Sequence, residues 1–167
     1  MTTSRFHIRP VKNTIDDMNL LSGFCHELAA FDGHRANMDG AKLQRQLFGF
    51  DTNVRAFLAY LGQEAIGFIL CYECFTVYSG ERGLYVPGAY IIEKYRHRGY
   101  GVKLFRHVAA YGLENGYEFM NWIVDDGNEK AGRLYRKMGA QVSNGWSYVR
   151  VPKDIMETAV RKIKAAT

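Results

Sequence analysis

Apolar and polar residues change their spacing several times along this chain, and each change marks an element. Phe6 to Val11 alternates, as a strand with one buried face does. Asp16 to Phe31 carries apolar residues at helical spacing, with Thr14 placed as an N-cap, and a shorter helix is expected from about Met38 to Phe48. Val54 to Leu61 and Glu64 to Tyr78 flank Gly62-Gln63 in the pattern of an antiparallel hairpin, and the turn Ser79-Gly80-Glu81-Arg82-Gly83 leads into a strand from Leu84 to Glu93. A helix from Gly101 to Asn115, a strand from Glu118 to Val124 and a helix from Asn128 to Met138 follow. After Gln141 to Ser143, Gly145 to Val151 is expected to close the sheet and Ile155 to Ala165 to form a terminal helix. An antiparallel meander running into a βαβ crossover predicts an α/β fold whose mixed, mostly antiparallel sheet is flanked by helices.

Two places depart from regular structure. Pro87-Gly88 falls inside a strand, where proline has no N–H for the ladder and glycine often marks a bulge, so a regular central strand is not expected through this pair. Arg96-His97-Arg98-Gly99-Tyr100-Gly101 lies where that strand hands over to a helix. Backbone N–H groups in the first turn of a helix, with the positive end of its dipole, attract phosphate. Gly99 and Gly101 allow positive φ and close approach of the backbone, while Arg96 and Arg98 add charge. The segment is neither a P-loop, because no Gly-Lys-Ser/Thr follows, nor a dinucleotide fingerprint.

One βα unit later come Asn128-Glu129-Lys130-Ala131 and Leu134-Tyr135-Arg136-Lys137-Met138-Gly139-Ala140. Together, R-x-x-G-x-G after a strand and this second segment resemble the GNAT superfamily of acetyl-CoA-dependent N-acetyltransferases, over about Tyr85 to Val142. Glu27-Leu28-Ala29 at the end of the first helix and Gly145-Trp146 after the motif are similar to the spermidine/spermine (diamine) acetyltransferase branch. The resemblance implies acetyl-CoA as co-substrate, with Arg96, His97, Arg98, Gly99, Tyr100, Gly101 and Val102 around its diphosphate and Asn128 and Ala131 also at the cofactor. It implies that the strands before the turn and after the following helix splay apart to admit pantetheine. A bulge at Pro87-Gly88 would then aim the N–H of Tyr90 or Ile91 at the thioester carbonyl. Tyr135, seven residues and so two helical turns beyond Asn128, is the expected acid for the leaving thiolate. A homodimer is implied as well.

The branch carries a Leu-Glu-Asp triplet where this chain has Val86-Pro87-Gly88, and Tyr-Glu where it has Phe31-Asp32. One of its carboxylates is therefore kept, in Asp32. Phe31, Asp32 and Trp122 are the candidate substrate residues, and Glu73, Glu93, Asp125 and Asp126 are candidate replacements for the missing acids. The acceptor stays open among polyamine-like amines, amino acids, aminoglycoside-like molecules and a protein amine.

At 167 residues, 47% hydrophobic and 23% charged, the chain has the size and composition of one domain, expected to span 1–167. No apolar run reaches the ~20 residues of a membrane span, and Met1 to Phe6 lacks a signal peptide's apolar stretch, so a cytoplasmic protein without a membrane partner is expected. Three cysteines fit a reducing compartment. Cys71 and Cys74 form C-x-x-C within a strand, with no second Cys/His pair to complete a metal site, so no metal is expected and both thiols read as strand residues. The net charge of +5 is scattered, which argues against a nucleic-acid partner. An acetyl-CoA-binding sensor with little catalysis is the alternative function, and a basic nucleic-acid module ranks third.

Overall fold

The computed structural model describes residues 5–125, 127–143, 149 and 151–158. They fall into two compact units, residues 1–123 and 124–167. In the first unit, β1 (Phe6–Pro10), β2 (Val54–Leu61), β3 (Glu64–Phe75), β4 (Arg82–Ile91) and β5 (Phe119–Asn121) form a sheet in the order β1-β2-β3-β4-β5. The first four strands are antiparallel neighbours and β5 runs parallel to β4, as expected for the mixed sheet. Three helices accompany it: α1 (Ile15–Phe31), α2 (Gly40–Phe48) and α3 (Tyr100–Glu114).

Sheet parity shows how the helices are layered. Leu58 and Phe68 face each other across β2 and β3, as do Phe57 and Ile69, so the two pairs lie on opposite faces. Phe68 stacks with Phe24 of α1, and Phe57 meets His107 and Tyr111 of α3. α1 and α3 therefore cover opposite faces. Between the α1–α2 layer and the sheet lies a core that includes Met18, Leu21, Phe24, Leu43, Leu47, Leu58, Phe68 and Tyr90. Burying each large apolar side chain there contributes about 1.5–3 kcal/mol.

Local signals placed most boundaries. The Thr14 hydroxyl accepts from the Asp17 N–H and starts α1, and Asp39 does the same for Lys42 at α2. Arg9 on β1 then pins α1 to the sheet. Its two NH groups donate to the Asp17 carboxylate at 2.6 and 2.7 Å, and one also reaches the Tyr60 hydroxyl at 2.7 Å.

Two expected elements need correction. β3 ends at Phe75 rather than Tyr78, because residues 76–81 already form the turn, closed by Thr76 N–H to Glu81 O at 3.0 Å. The strand expected over Glu118 to Val124 shrinks to Phe119–Asn121, since its pairing with β4 stops at Tyr85 and Asn121. Pro87-Gly88 does not end β4. The strand runs through both residues, and Leu70 faces Gly88 while Tyr72 faces Tyr85, so Val86 and Pro87 together stand opposite Cys71. That is the expected bulge, with proline at the position where the missing N–H costs least.

In the second unit, α4 (Glu129–Lys137) is capped by the Asn128 side chain, which accepts the Ala131 N–H at 3.1 Å. A further helical stretch covers 153–158. Most of the expected strand Gly145 to Val151, including Gly145-Trp146, and the end of the expected terminal helix lie outside the described residues.

Candidate active site

The bulge turns β4 by one residue, and side chains record the change. Before it, Leu84 points toward α3, where a Cβ placed on Gly112 would come within 3.3 Å of its side chain. After it, Gly88 faces Leu28 of α1 and Tyr90 lies 6.4 Å from Phe24, so even-numbered residues now face α1.

Backbone groups change phase with the side chains. Ile92 N–H donates to Ile66 O at 2.9 Å, which makes Phe68 and Tyr90 a hydrogen-bonded pair in the same ladder and Gly67 and Ile91 a non-bonded one. Tyr90 N–H is thus turned to β3. The N–H and C=O of Ile91 point to the other edge, past the last β5 pair at Tyr85 and Asn121, where the pairing of β4 with β5 has ended.

From this edge the chain passes through a 3-10 turn at Glu93–Tyr95 into the glycine turn and α3. Positive φ occurs at His97 (61°) and Gly99 (80°). Gly101 does not take it, contrary to expectation, because it already lies in the first turn of α3. Nor does packing require glycine there, since an added Cβ would meet nothing within 4 Å. Gly99, as N-cap, offers no side chain to the helix, and the first turn contains no acid, whereas Thr14, Asp39 and Asn128 cap α1, α2 and α4. The N–H groups of Tyr100, Gly101 and Val102 precede the first α3 bond, Lys103 N–H to Gly99 O at 3.2 Å, and so project from the helix end.

The charged side chains divide their tasks. Arg98 lies over the Tyr95 ring, with its guanidinium carbon 5.5 Å from the centroid. Arg96 turns back along β4 and lies over both Phe31 and Tyr90. Burial raises the pKa of the Tyr90 phenol, the neighbouring Glu27 carboxylate raises it further, and Arg96 pulls the other way. Glu27 was singled out in the sequence only as part of a motif. Its position one helical turn before Phe31 and three residues after Phe24 is the signal that brings it to Tyr90.

Other candidate residues are placed differently. Phe31, at the end of α1, stacks on Arg96, and Asp32 forms the C-cap of that helix. Trp122 packs 4.8 Å from Phe105 of α3, on the other side of the sheet from Phe31, so the structure does not bring these two together. Glu73 is engaged in a two-bond pair with Arg82, both at 2.9 Å, and accepts from Tyr117 at 3.0 Å. Glu93 is exposed in the 3-10 turn, Asp125 accepts the Gly127 N–H at 2.7 Å, and Asp126 lies outside the described residues. Asn128, Ala131 and Tyr135 come together on α4 in the second unit. Cys71 is buried, and burial pushes its thiol up to about 11. Among the described residues there is no group of three or more His, Cys, Asp or Glu suited to a metal, and no helix is long and apolar enough to cross a membrane.

A profile described as the Acetyltransferase (GNAT) family matches residues 22–140. The chain belongs to the GNAT acetyltransferase family. It is 29% identical over 143 residues to the thialysine N-epsilon-acetyltransferase of Mus musculus, covering 78% of this chain and 84% of the relative. It is 32% identical over 91 residues to the L-ornithine N5-acetyltransferase of Arabidopsis thaliana, a match that covers 54% of this chain and only 40% of that protein's length. A solved aminoglycoside acetyltransferase from an uncultured soil metagenomic sample has the same fold, with a TM-score of 0.73 at 19% identity over 88% of this chain and 97% of that one. An integron cassette protein of V. cholerae superimposes with a TM-score of 0.74 at 19% identity, covering 93% and 98% of the two chains. The GNAT profile spans the glycine turn, the bulged strand and α4.

Proposed function

We propose that the protein transfers the acetyl group of acetyl-CoA to a primary amine of a small molecule by direct attack in a ternary complex. The carrying observation is the start of α3. It has outward N–H groups, no side-chain cap, and a glycine that neither φ nor packing requires, a combination suited to a diphosphate. Gly99, Tyr100, Gly101 and Val102 supply backbone donors in this reading, His97 and Gly99 shape the turn, and Arg98 adds charge. The pantetheine arm takes the edge of β4 released by the bulge, as an added strand would.

Chemistry follows from that placement. The amine nitrogen attacks the acetyl carbonyl, and the Ile91 N–H stabilises the developing oxyanion. Ladder parity favours Ile91 over Tyr90 for this task, because the Tyr90 N–H faces β3. As the intermediate collapses the C–S bond breaks, the thiolate takes the Tyr135 proton, and the proton from the amine leaves to a base or to water. Phe31, Asp32 and Tyr90 bind the acceptor near the end of α1, and Glu27 adds a second carboxylate there. The relatives named for thialysine and ornithine support an amine at the end of a short chain bearing an amino acid.

A single domain is supported by the family profile, which crosses the boundary between the two units. Three free thiols, at Cys25, Cys71 and Cys74, support a reducing, cytoplasmic setting. A homodimer follows from family resemblance and is checked by light scattering. The decisive experiment is thiol release from acetyl-CoA across ornithine, thialysine, polyamines, aminoglycosides and lysine peptides. Release with one of the small amines is the expected result. Binding of acetyl-CoA without release on any amine would leave a sensor in place of an enzyme.

A further inference from the structure

Arg96 belongs to the glycine turn by sequence, yet its side chain runs back along β4. Its Nε donates to the Ile91 carbonyl at 2.8 Å, and its guanidinium carbon sits 4.5 Å from the centre of the Phe31 ring and 5.0 Å from that of Tyr90. A planar cation on two aromatic faces, with one N–H committed to a carbonyl, is held in one place. The segment it grips lies beyond the last residue of β4 paired with β5, so no ladder bond from β5 steadies that edge. The N–H and C=O of Ile91 emerge together there.

We infer that Arg96 is a positioning residue: its Nε bond to the Ile91 carbonyl holds the Ile91 peptide groups in line at the open edge, while its stacking on Phe31 ties the end of α1 to the same strand. This rests on the proposed acetyl transfer only in giving the Ile91 N–H the oxyanion. A donor swung out of line loses much of its value, because such stabilisation depends on groups aimed before the charge appears. Arg96 thus acts on the reaction through the backbone, and Arg98 with the helix N–H groups is left to meet phosphate.

Positive charge at Arg96 is not what this role needs. An N–H at the Nε position is. Glutamine places its amide nitrogen the same number of bonds from Cα as the arginine Nε, whereas lysine has a carbon there and carries its ammonium one atom farther out. Arg96→Gln and Arg96→Lys therefore separate donor from charge.

Two readouts test the assignment. In the first, the ¹³C carbonyl shift of Ile91 reports the bond directly, without turnover. It is expected to stay near the parent value in Arg96→Gln and to move upfield in Arg96→Lys. In the second, both variants lose activity, with kcat of Arg96→Lys roughly tenfold below that of Arg96→Gln on the best amine. An Ile91 shift in Arg96→Lys equal to the parent's overturns the placement. A kcat for Arg96→Lys equal to or above that of Arg96→Gln overturns the positioning role and returns Arg96 to phosphate. Absence of turnover in the parent itself would count against acetyl transfer instead, and the carbonyl shift would still decide what Arg96 holds.

Discussion

Replacing Gly101 by alanine should make the protein more stable and a worse binder of acetyl-CoA, and the opposite signs make the test severe. Gly101 is the second residue of α3, has no positive φ, and would carry a Cβ with nothing within 4 Å. Alanine in a helix is favoured over glycine by about 0.5–1 kcal/mol, with the lower figure suited to the first turn. For a protein of this size that raises Tm by roughly 1–3 °C. In the proposed site the same methyl group would crowd a phosphate approaching the outward N–H groups of α3. Losing one charge-assisted hydrogen bond to phosphate costs about 2 kcal/mol, which weakens binding roughly thirtyfold. Differential scanning fluorimetry with and without acetyl-CoA reads both effects: the ligand-free Tm rises and the ligand-induced shift shrinks, and titration calorimetry supplies the Kd. Gly99→Ala is the control, because its φ of 80° makes any side chain costly despite open space, so its ligand-free Tm should fall. A Gly101→Ala protein that binds acetyl-CoA as the parent does would refute the diphosphate placement.

The remaining predictions concern other parts of the fold. Tyr135→Phe should lower kcat by about 10²-fold or more with little change in acetyl-CoA Kd, and equal turnover would remove the phenol from the acid role. His97 holds φ of 61° without being glycine, so His97→Gly should stabilise the ligand-free protein by about 1 kcal/mol in urea unfolding, and destabilisation would show that the imidazole has a compensating contact. Asp17→Asn strips Arg9 of its carboxylate partner and should cost about 3 kcal/mol, read as a drop in the urea midpoint. Arg9 holds the Asp17 carboxyl below its ordinary value of 3.8, so the contribution is fully present above that pH and fades as pH falls through the lower folded value. The stability gap between parent and Asp17→Asn should therefore narrow on acidification below 3.8, and a gap that widened would contradict the pairing.

Much of this architecture could be read from neighbouring residues. Thr14 capping Asp17, the two-residue turn at Gly62-Gln63 and Asn128 capping Ala131 each involve groups a few positions apart, whose geometry follows from the backbone alone. Pro87-Gly88 announced a bulge for the same reason, and the glycine-bearing segment announced the turn into α3. Side-chain partners were far less legible. Glu73, a candidate base in the sequence, is held by Arg82 across a hairpin and by Tyr117 from the far end of α3, and Trp122 packs against α3 rather than beside Phe31.

What the chain alone determined, then, is which stretches are strands and helices and where the backbone must bend, since short-range sterics and hydrogen bonding set these. Only tertiary structure decided which peptide of β4 faces outward and what Arg96 holds. One extra residue in the β4 register reverses every face beyond it, and that register is set by pairing with a strand remote in sequence.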